Sequence, residues 1–290
     1  MAGPVQLSLL ARRLRRALPA APASCGLSRA DRGRAPPRGA GRAGRGARLW
    51  GFDDRTREWN TLDTLARRPE HYHEELRRAE VGAREGETIH GALRAREPGL
   101  AALVEHYDAD GRDSFLDSWR EGDALGDWSR LAFSFIGEAP GAVTLRAAGG
   151  ALPSLTKEYR LGADGALDVA YTLEAPAARH GQLTVVLNLG LHVARADDRF
   201  VEIGGARAEP AHFAARARHD RVERSAFVDR WAGRSLTLTT DREAQLERAP
   251  IETVSLSEQG AERVFQGLEL RYTFAVSGTA GVAGAAEARP

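Results

Sequence analysis

Between Pro250 and Phe274 the chain reads PIETVSLSEQGAERVFQGLELRYTF. Glu252, Glu258 and Glu262 bring carboxylates, Arg263 a guanidinium fork, and Ser255, Ser257, Gln259 and Gln266 groups that both donate and accept hydrogen bonds. Carboxylates this dense can serve acid–base chemistry. The same set can equally form an ion-pair cluster that pins a strand edge. Around them Ile251, Thr253, Val254, Val264, Phe265, Leu268, Leu270, Tyr272 and Phe274 favour strand. Gly260 and Gly267 let the backbone turn. The expectation is two strands joined by an acid-rich turn.

Other constellations carry less. His71 and His73 form an H-x-H pair, with His90 and His106 downstream, and such a pair on a strand can hold a metal. Glu74, Glu75, Arg77, Arg78 and Glu80 make the segment polar at nearly every position, so a solvated loop or helix face is the stronger expectation, with no metal. YDADGR at 107–112 has the oxygens of a calcium loop. An EF-hand needs an acid at the twelfth position from Asp108, and Trp119 stands there; a looser oxygen site stays open. No G-x-S-x-G occurs, and the single cysteine, Cys25, has no histidine near it in sequence. No glycine-rich phosphate loop precedes a helix, so no cofactor is expected.

The elements that must position these residues are strands. After Trp128 come RLAFSFIG, AVTLRA, LTKEYRLG, ALDVAYTLEA, GQLTVVLNLGLHVA, RFVEIGG, SAFVDRW and RSLTLTTD, separated by ADG, GG and APG turns. Asp164-Gly165 marks a hairpin. LTVVLNLGL is the most apolar of them and belongs in the sheet interior. Ahead of them, Leu62 and Leu65 start a short helix that Pro69 ends. The fold class is all-β: a large antiparallel β-sandwich with a short helical and loop entrance.

The chain has 290 residues with a formal charge of +1, unevenly spread. Residues 1–48 hold eleven arginines and one acid, Asp31, which leaves the remainder at −9. An acidic body excludes a nucleic-acid surface there. One cysteine excludes an intrachain disulfide and a cysteine-based zinc site. No apolar run approaches the roughly 20 residues that span a membrane. Residues 1–46, rich in Arg, Ala, Gly and Pro, cannot bury enough surface to fold alone. They are expected to be a disordered leader, and APPRGAGRAGRGA has the look of GC-rich coding sequence read in a shifted frame. Arginine-rich SLLARRLRRALPAAPA suits a targeting segment less well, and it lacks a secretory apolar region. The folded body is expected over 47–278, with a flexible tail at 279–290.

Three motifs in order carry a resemblance. PIETVSLSEQGAERVFQG is similar to the closing signature of glycoside hydrolase family 57, the α-amylase/4-α-glucanotransferase enzymes, with Gln259 replacing a glycine and Phe265 a tyrosine. RLWGFDDRTREWNTLDTLARRPEHYH resembles that family's domain entrance through Asn60, Asp63, Thr64, Leu65, Arg67, Arg68, Pro69, Glu70, Tyr72 and His73. Ile89, His90, Glu97, Gly99, Leu100, Tyr107, Asp108, Arg112, Ser114 and Asp117 match a third motif, in which Ser118-Trp119 stand where the family has His-Phe. The resemblance covers residues 47–276.

It implies the family's C-terminal sandwich, of galactose-mutarotase-like type, in α-1,4-glucan metabolism. In the family the catalytic glutamate and aspartate belong to an N-terminal barrel, and no residue here matches them, so no catalytic residue is assigned. The implied partners are an α-glucan or maltooligosaccharide and a catalytic barrel on a separate chain, in the cytoplasm. A sugar's C–H face stacks on an exposed aromatic ringed by amide, carboxylate and guanidinium groups. Trp119, Trp128 and Trp231 with Glu252, Glu258, Gln259, Glu262, Arg263 and Gln266 are the candidates, against a structural role for the same residues. Two further readings remain: a stand-alone α-glucan-binding module, and a mutarotase-like epimerase with His192 in an acid–base pair.

Overall fold

The computed structural model describes residues 5–13, 24–27, 46–54, 59–81, 98–109, 111–162, 165–258 and 260–278. Its strands are β1 (Val5–Arg13), β2 (Ser24–Leu27), β3 (Leu49–Asp54), β4 (Trp59–Asn60), β5 (Leu116–Glu121), β6 (Ala124–Asp127), β7 (Ser134–Ala139), β8 (Ala142–Ala147), β9 (Ser154–Leu161), β10 (Ala166–Glu174), β11 (Arg179–Leu189), β12 (Arg199–Ile203), β13 (Ala206–Arg207), β14 (Ala217–Asp229), β15 (Arg234–Ser257) and β16 (Gly260–Gly278). Two helices, α1 (His71–Val81) and α2 (Leu100–Leu103), lie between β4 and β5.

Strand pairing is antiparallel, and the main path runs β6-β5-β11-β16-β15-β1-β10-β9-β8-β7. The all-β reading holds, and β11, the expected interior strand, has β5 on one side and β16 on the other. β15 is the backbone of the molecule. Its start, from Arg234 to Thr240, pairs with β1, its end from Gln245 onward pairs with β16, and β14 follows along the opposite edge. A strand that changes neighbours on one edge lets the sheet divide into two layers. The layers then face each other: Lys157 of β9 reaches Asp117 of β5, although β9 stands six positions from β5 in the sheet order.

Alternation places the core. Leu155 and Tyr159 of β9, Leu167, Val169 and Tyr171 of β10, Leu183, Val185, Leu187 and Leu189 of β11, and Leu268, Leu270, Tyr272 and Phe274 of β16 are buried in one cluster with Trp119 and Trp128. Each set keeps to every second position, with the buried Lys157 filling the place between Leu155 and Tyr159, as one buried face of a strand requires.

One local expectation is corrected. The helix begins at His71, after Pro69, and not at Leu62. Proline biases the residue before it away from helix and lacks a donor, so it suits the approach to a helix start better than an interior. Upstream, Asn60 Oδ1 accepts from the Phe52 and Leu62 amides and holds a turn, which buries Leu62 and leaves Leu65 exposed. Within the leader, two short stretches, Val5–Arg13 and Ser24–Leu27, are strands. β1 is hydrogen-bonded to β10 and β15, and β2 to β3. A segment too poor in apolar residues to fold alone can still complete a ladder whose edges the body supplies.

Candidate functional site

The last hairpin extends beyond the sandwich and becomes one wall of a smaller cluster. Val254 and Ala261 pack there with Leu76 of α1, Leu100 of α2 and Val104, with Tyr72 and Leu103 against them. The Tyr72 hydroxyl donates to the Val254 carbonyl at 2.8 Å. Where the hairpin leaves the sandwich, the register shifts between Ile251 and Glu252, opposite Gly267 and Phe265. A Cβ on Gly267 would stand 2.2 Å from the Leu189 carbonyl oxygen, so only glycine lets the hairpin cross β11 this closely.

The helical layer is fixed by polar contacts. Asp108 sits between two arginines. Its Oδ1 accepts from Arg67 Nη2 and Arg112 Nη2, both at 2.8 Å, and its Oδ2 accepts from the Arg67 amide and Arg112 Nε, again at 2.8 Å. Arg112 continues to Asn188 Oδ1 of β11 at 3.1 Å and Glu269 Oε2 of β16 at 3.2 Å. Burial works to raise the Asp108 pKa, but the arginine hydrogen bonds overcome it and hold the carboxyl well below the usual carboxylate range. Alongside, Arg77 donates to the Tyr107 hydroxyl at 2.8 Å, and that hydroxyl lies 3.1 Å from His73 Nδ1. The Glu70 amide donates to Nδ1 at 3.2 Å, so the His73 proton belongs on the buried Nε2. Burial lowers the His73 pKa, so the ring is neutral.

A second polar cluster lies inside the sandwich. Lys157, the one lysine of the chain, is completely buried. The carbonyls of Gly46, Ala47 and Phe115 accept from its ammonium at 2.9, 3.1 and 2.8 Å, and Asp117 stands 2.5 Å away. Tyr159 also donates to the Ala47 carbonyl, at 2.6 Å. The pair therefore fastens the point where the chain enters the body. Desolvation pushes Asp117 up to about 6 and Lys157 down.

The structure disperses the expected contact residues. Trp119 and Trp128 are core, with ring centroids 6.1 Å apart, and Trp128 donates to the Pro153 carbonyl. Trp231 is exposed on the turn between β14 and β15, at the opposite end of β15 from the hairpin tip. Glu252 pairs with Arg263 across the hairpin at 2.9 Å, Glu262 is half-buried, Glu258 is exposed, and Gln266 has a buried Oε1. His90 and Gln259 lie outside the described residues, as does Asp110 of the calcium-like loop. His71 is exposed while His73 is buried, so the H-x-H pair does not converge. Among the described residues no three His, Cys, Asp or Glu side chains form a metal-sized group. His192 is exposed, edge-on to Trp59 at 3.6 Å. The carboxylate that bears on it, Asp229, is already taken by Arg199 and the Ala232 amide.

Sequence reasoning missed the burial of Lys157 and His73. The first had a signal: Lys157 stands between Leu155 and Tyr159 at the strand period.

Residues 42–283 match the family model described as Alpha-amylase/4-alpha-glucanotransferase, C-terminal. Alpha-amylase 1 of Dictyoglomus thermophilum is 30% identical over 258 residues, 78% of this chain and 34% of that protein. A 4-alpha-glucanotransferase of Thermococcus kodakarensis is 28% identical over 254 residues, 80% of this chain and 35% of that protein. The crystal structure of 4-alpha-glucanotransferase from Thermococcus litoralis shares the fold, with a TM-score of 0.51 at 16% identity over 81% of this chain and 33% of that one. The chain thus spans about a third of the length of these relatives. It belongs to the family of α-amylase/4-α-glucanotransferase C-terminal domains.

Proposed function

We propose that this chain is a non-catalytic β-sandwich serving an enzyme of α-1,4-glucan metabolism, where it supports a catalytic barrel supplied on the same or a separate chain. The observation that carries the reading is the use of the matched polar residues. Asp108 and Arg112 are spent on each other, on Arg67 and on the sandwich, Tyr107 is spent on Arg77 and His73, and Asp117 is sealed against Lys157. Cleaving a glycosidic bond needs two carboxyls flanking it, one to protonate the leaving oxygen and one at the anomeric carbon or its attacking water, and an acid hydrogen-bonded by two arginines, or dry beside a lysine, cannot reach a bound substrate. The likeness to glycoside hydrolase family 57 and a galactose-mutarotase-like sandwich fits the antiparallel two-layer fold. An epimerase fits less well, because Asp229, the carboxylate that bears on His192, is held by Arg199 and the Ala232 amide. One cysteine and no helix able to cross a membrane among the described residues suit a cytoplasmic setting.

The test is turnover. The purified chain, incubated with amylose or maltodextrin, is expected to release no reducing sugar and to leave the chain-length distribution unchanged. Hydrolysis or disproportionation by this chain alone would overturn the reading. A chimera carrying this chain in place of the C-terminal third of a 4-α-glucanotransferase is expected to be soluble and active; an inactive, well-folded chimera counts against barrel support.

A further inference from the structure

The turn between β14 and β15 carries the most exposed large apolar side chain among the described residues: Trp231 is 77% exposed. An indole left in water forfeits hydrophobic free energy that burial would have supplied. This one is nevertheless held in place. The Arg199 guanidinium lies over the ring, 5.1 Å from its centroid, and is itself 12% exposed. Asp229 fixes that guanidinium at 3.2 Å and closes the turn by accepting from the Ala232 amide at 2.9 Å. The Arg230 amide donates to the Asp198 carbonyl at 3.0 Å. One face of the ring is thus backed by a fixed cation, and the exposure belongs to the other.

The same carboxylate organises a second stack. Arg234 lies 3.9 Å from Asp229, and its guanidinium sits 3.8 Å over Trp59, which meets the exposed His192 edge-on. Asp229 therefore links two aromatic–guanidinium stacks at one end of β15.

The surroundings narrow the ligand. Asp197 and Arg230 are exposed and Asp198 is half-buried, while Phe200, the nearby apolar ring, is buried under Arg207 and Arg230. A protein-interface anchor sits at the centre of an apolar patch; this indole is an apolar plate in a charged field. That arrangement matches a pyranose, whose C–H face stacks on a ring while its hydroxyls bond to guanidinium and carboxylate groups around the edge. We infer that the Trp231 platform binds glucosyl units of an α-1,4-glucan. The choice of ligand rests on the proposal that the chain serves an α-glucan enzyme.

Native electrophoresis of the full chain through gels containing soluble starch tests this, with hydroxyethylcellulose as the β-linked comparison. Wild type should be retarded by starch and not by the cellulose. Trp231→Ala should raise the apparent dissociation constant for starch at least tenfold with an unchanged melting temperature. Trp50→Ala, which removes another exposed tryptophan on β3, should bind as wild type does. Unretarded wild type, or a Trp231→Ala variant retarded equally, overturns the site, and equal retardation by cellulose overturns its α-linkage preference. Loss of solubility or activity of the glucanotransferase chimera by Trp231→Ala, with wild type indifferent to starch, makes the indole a protein anchor instead and rejects the proposal. Turnover is read separately: a chain that hydrolyses amylose yet shows Trp231-dependent retardation sinks the accessory reading and leaves the platform standing.

Discussion

Asp108 and Asp117 lie nine residues apart, both in a motif matched to the family, and both face a cation. Their protonation equilibria nonetheless move in opposite directions. Asp108 receives forked hydrogen bonds from two arginines at the edge of the helical layer, which stabilise its charge more than partial burial opposes it. Asp117 has a single ammonium, already shared among three carbonyls, in a fully dry site. There desolvation wins. A raised carboxyl pKa often marks a catalytic acid. Here the same shift marks a structural lock, because the group that carries it has no route to a substrate.

The largest expected effect breaks the dry pair. Lys157→Met should cost about 3–5 kcal/mol in urea unfolding, because Asp117 and three carbonyls lose their cation. Adding Asp117→Leu should recover much of that loss, since apolar replacement of a whole buried pair is often neutral. A single variant as stable as wild type would remove the lock from the account. Asp108→Asn should cost about 2–4 kcal/mol by leaving two forked arginines short of acceptors, which sharpens the comparison, as this cluster is reachable by water and the other is not. Tyr72→Phe should cost about 1 kcal/mol by freeing the Val254 carbonyl. Glu258→Gln, on the exposed tip of the matched hairpin, should change stability by less than about 0.5 kcal/mol; a larger loss would show that the tip carries structure too.

The sandwich was legible because each core strand repeats its apolar residues every second position, as in Leu183, Val185, Leu187 and Leu189. β14 was only half legible: ARHDRVER has exposed charged residues on both faces, so the strand is maintained by pairing with β15 and not by burial. The helix start was misplaced since Leu62 and Leu65 mimic a helical repeat, while the Asn60 side chain dictates a turn. At the candidate site, residue types could be read but not their meetings. Glu252 with Arg263 is a cross-strand pair that a hairpin register implies. Tyr72 with Val254 spans 182 residues, and nothing local announces it. Trp231 looked like part of the hairpin cluster until the length of β15 put the two at opposite ends.

Two matched carboxylates serve structure in two different electrostatic settings, and stability as a function of pH tests this most directly. A carboxyl whose pKa is depressed by folding contributes stability above its unfolded value near 3.8 and loses it as pH falls through the acid range. A raised one contributes fully below 3.8 and loses that contribution as pH rises through about 6. Unfolding free energies between pH 3 and 7 should therefore show Asp117→Asn lacking the wild-type gain on acidification from 6 to 4. Asp108→Asn should lack part of the wild-type loss below 4. Wild-type pH dependence in both variants would contradict the account.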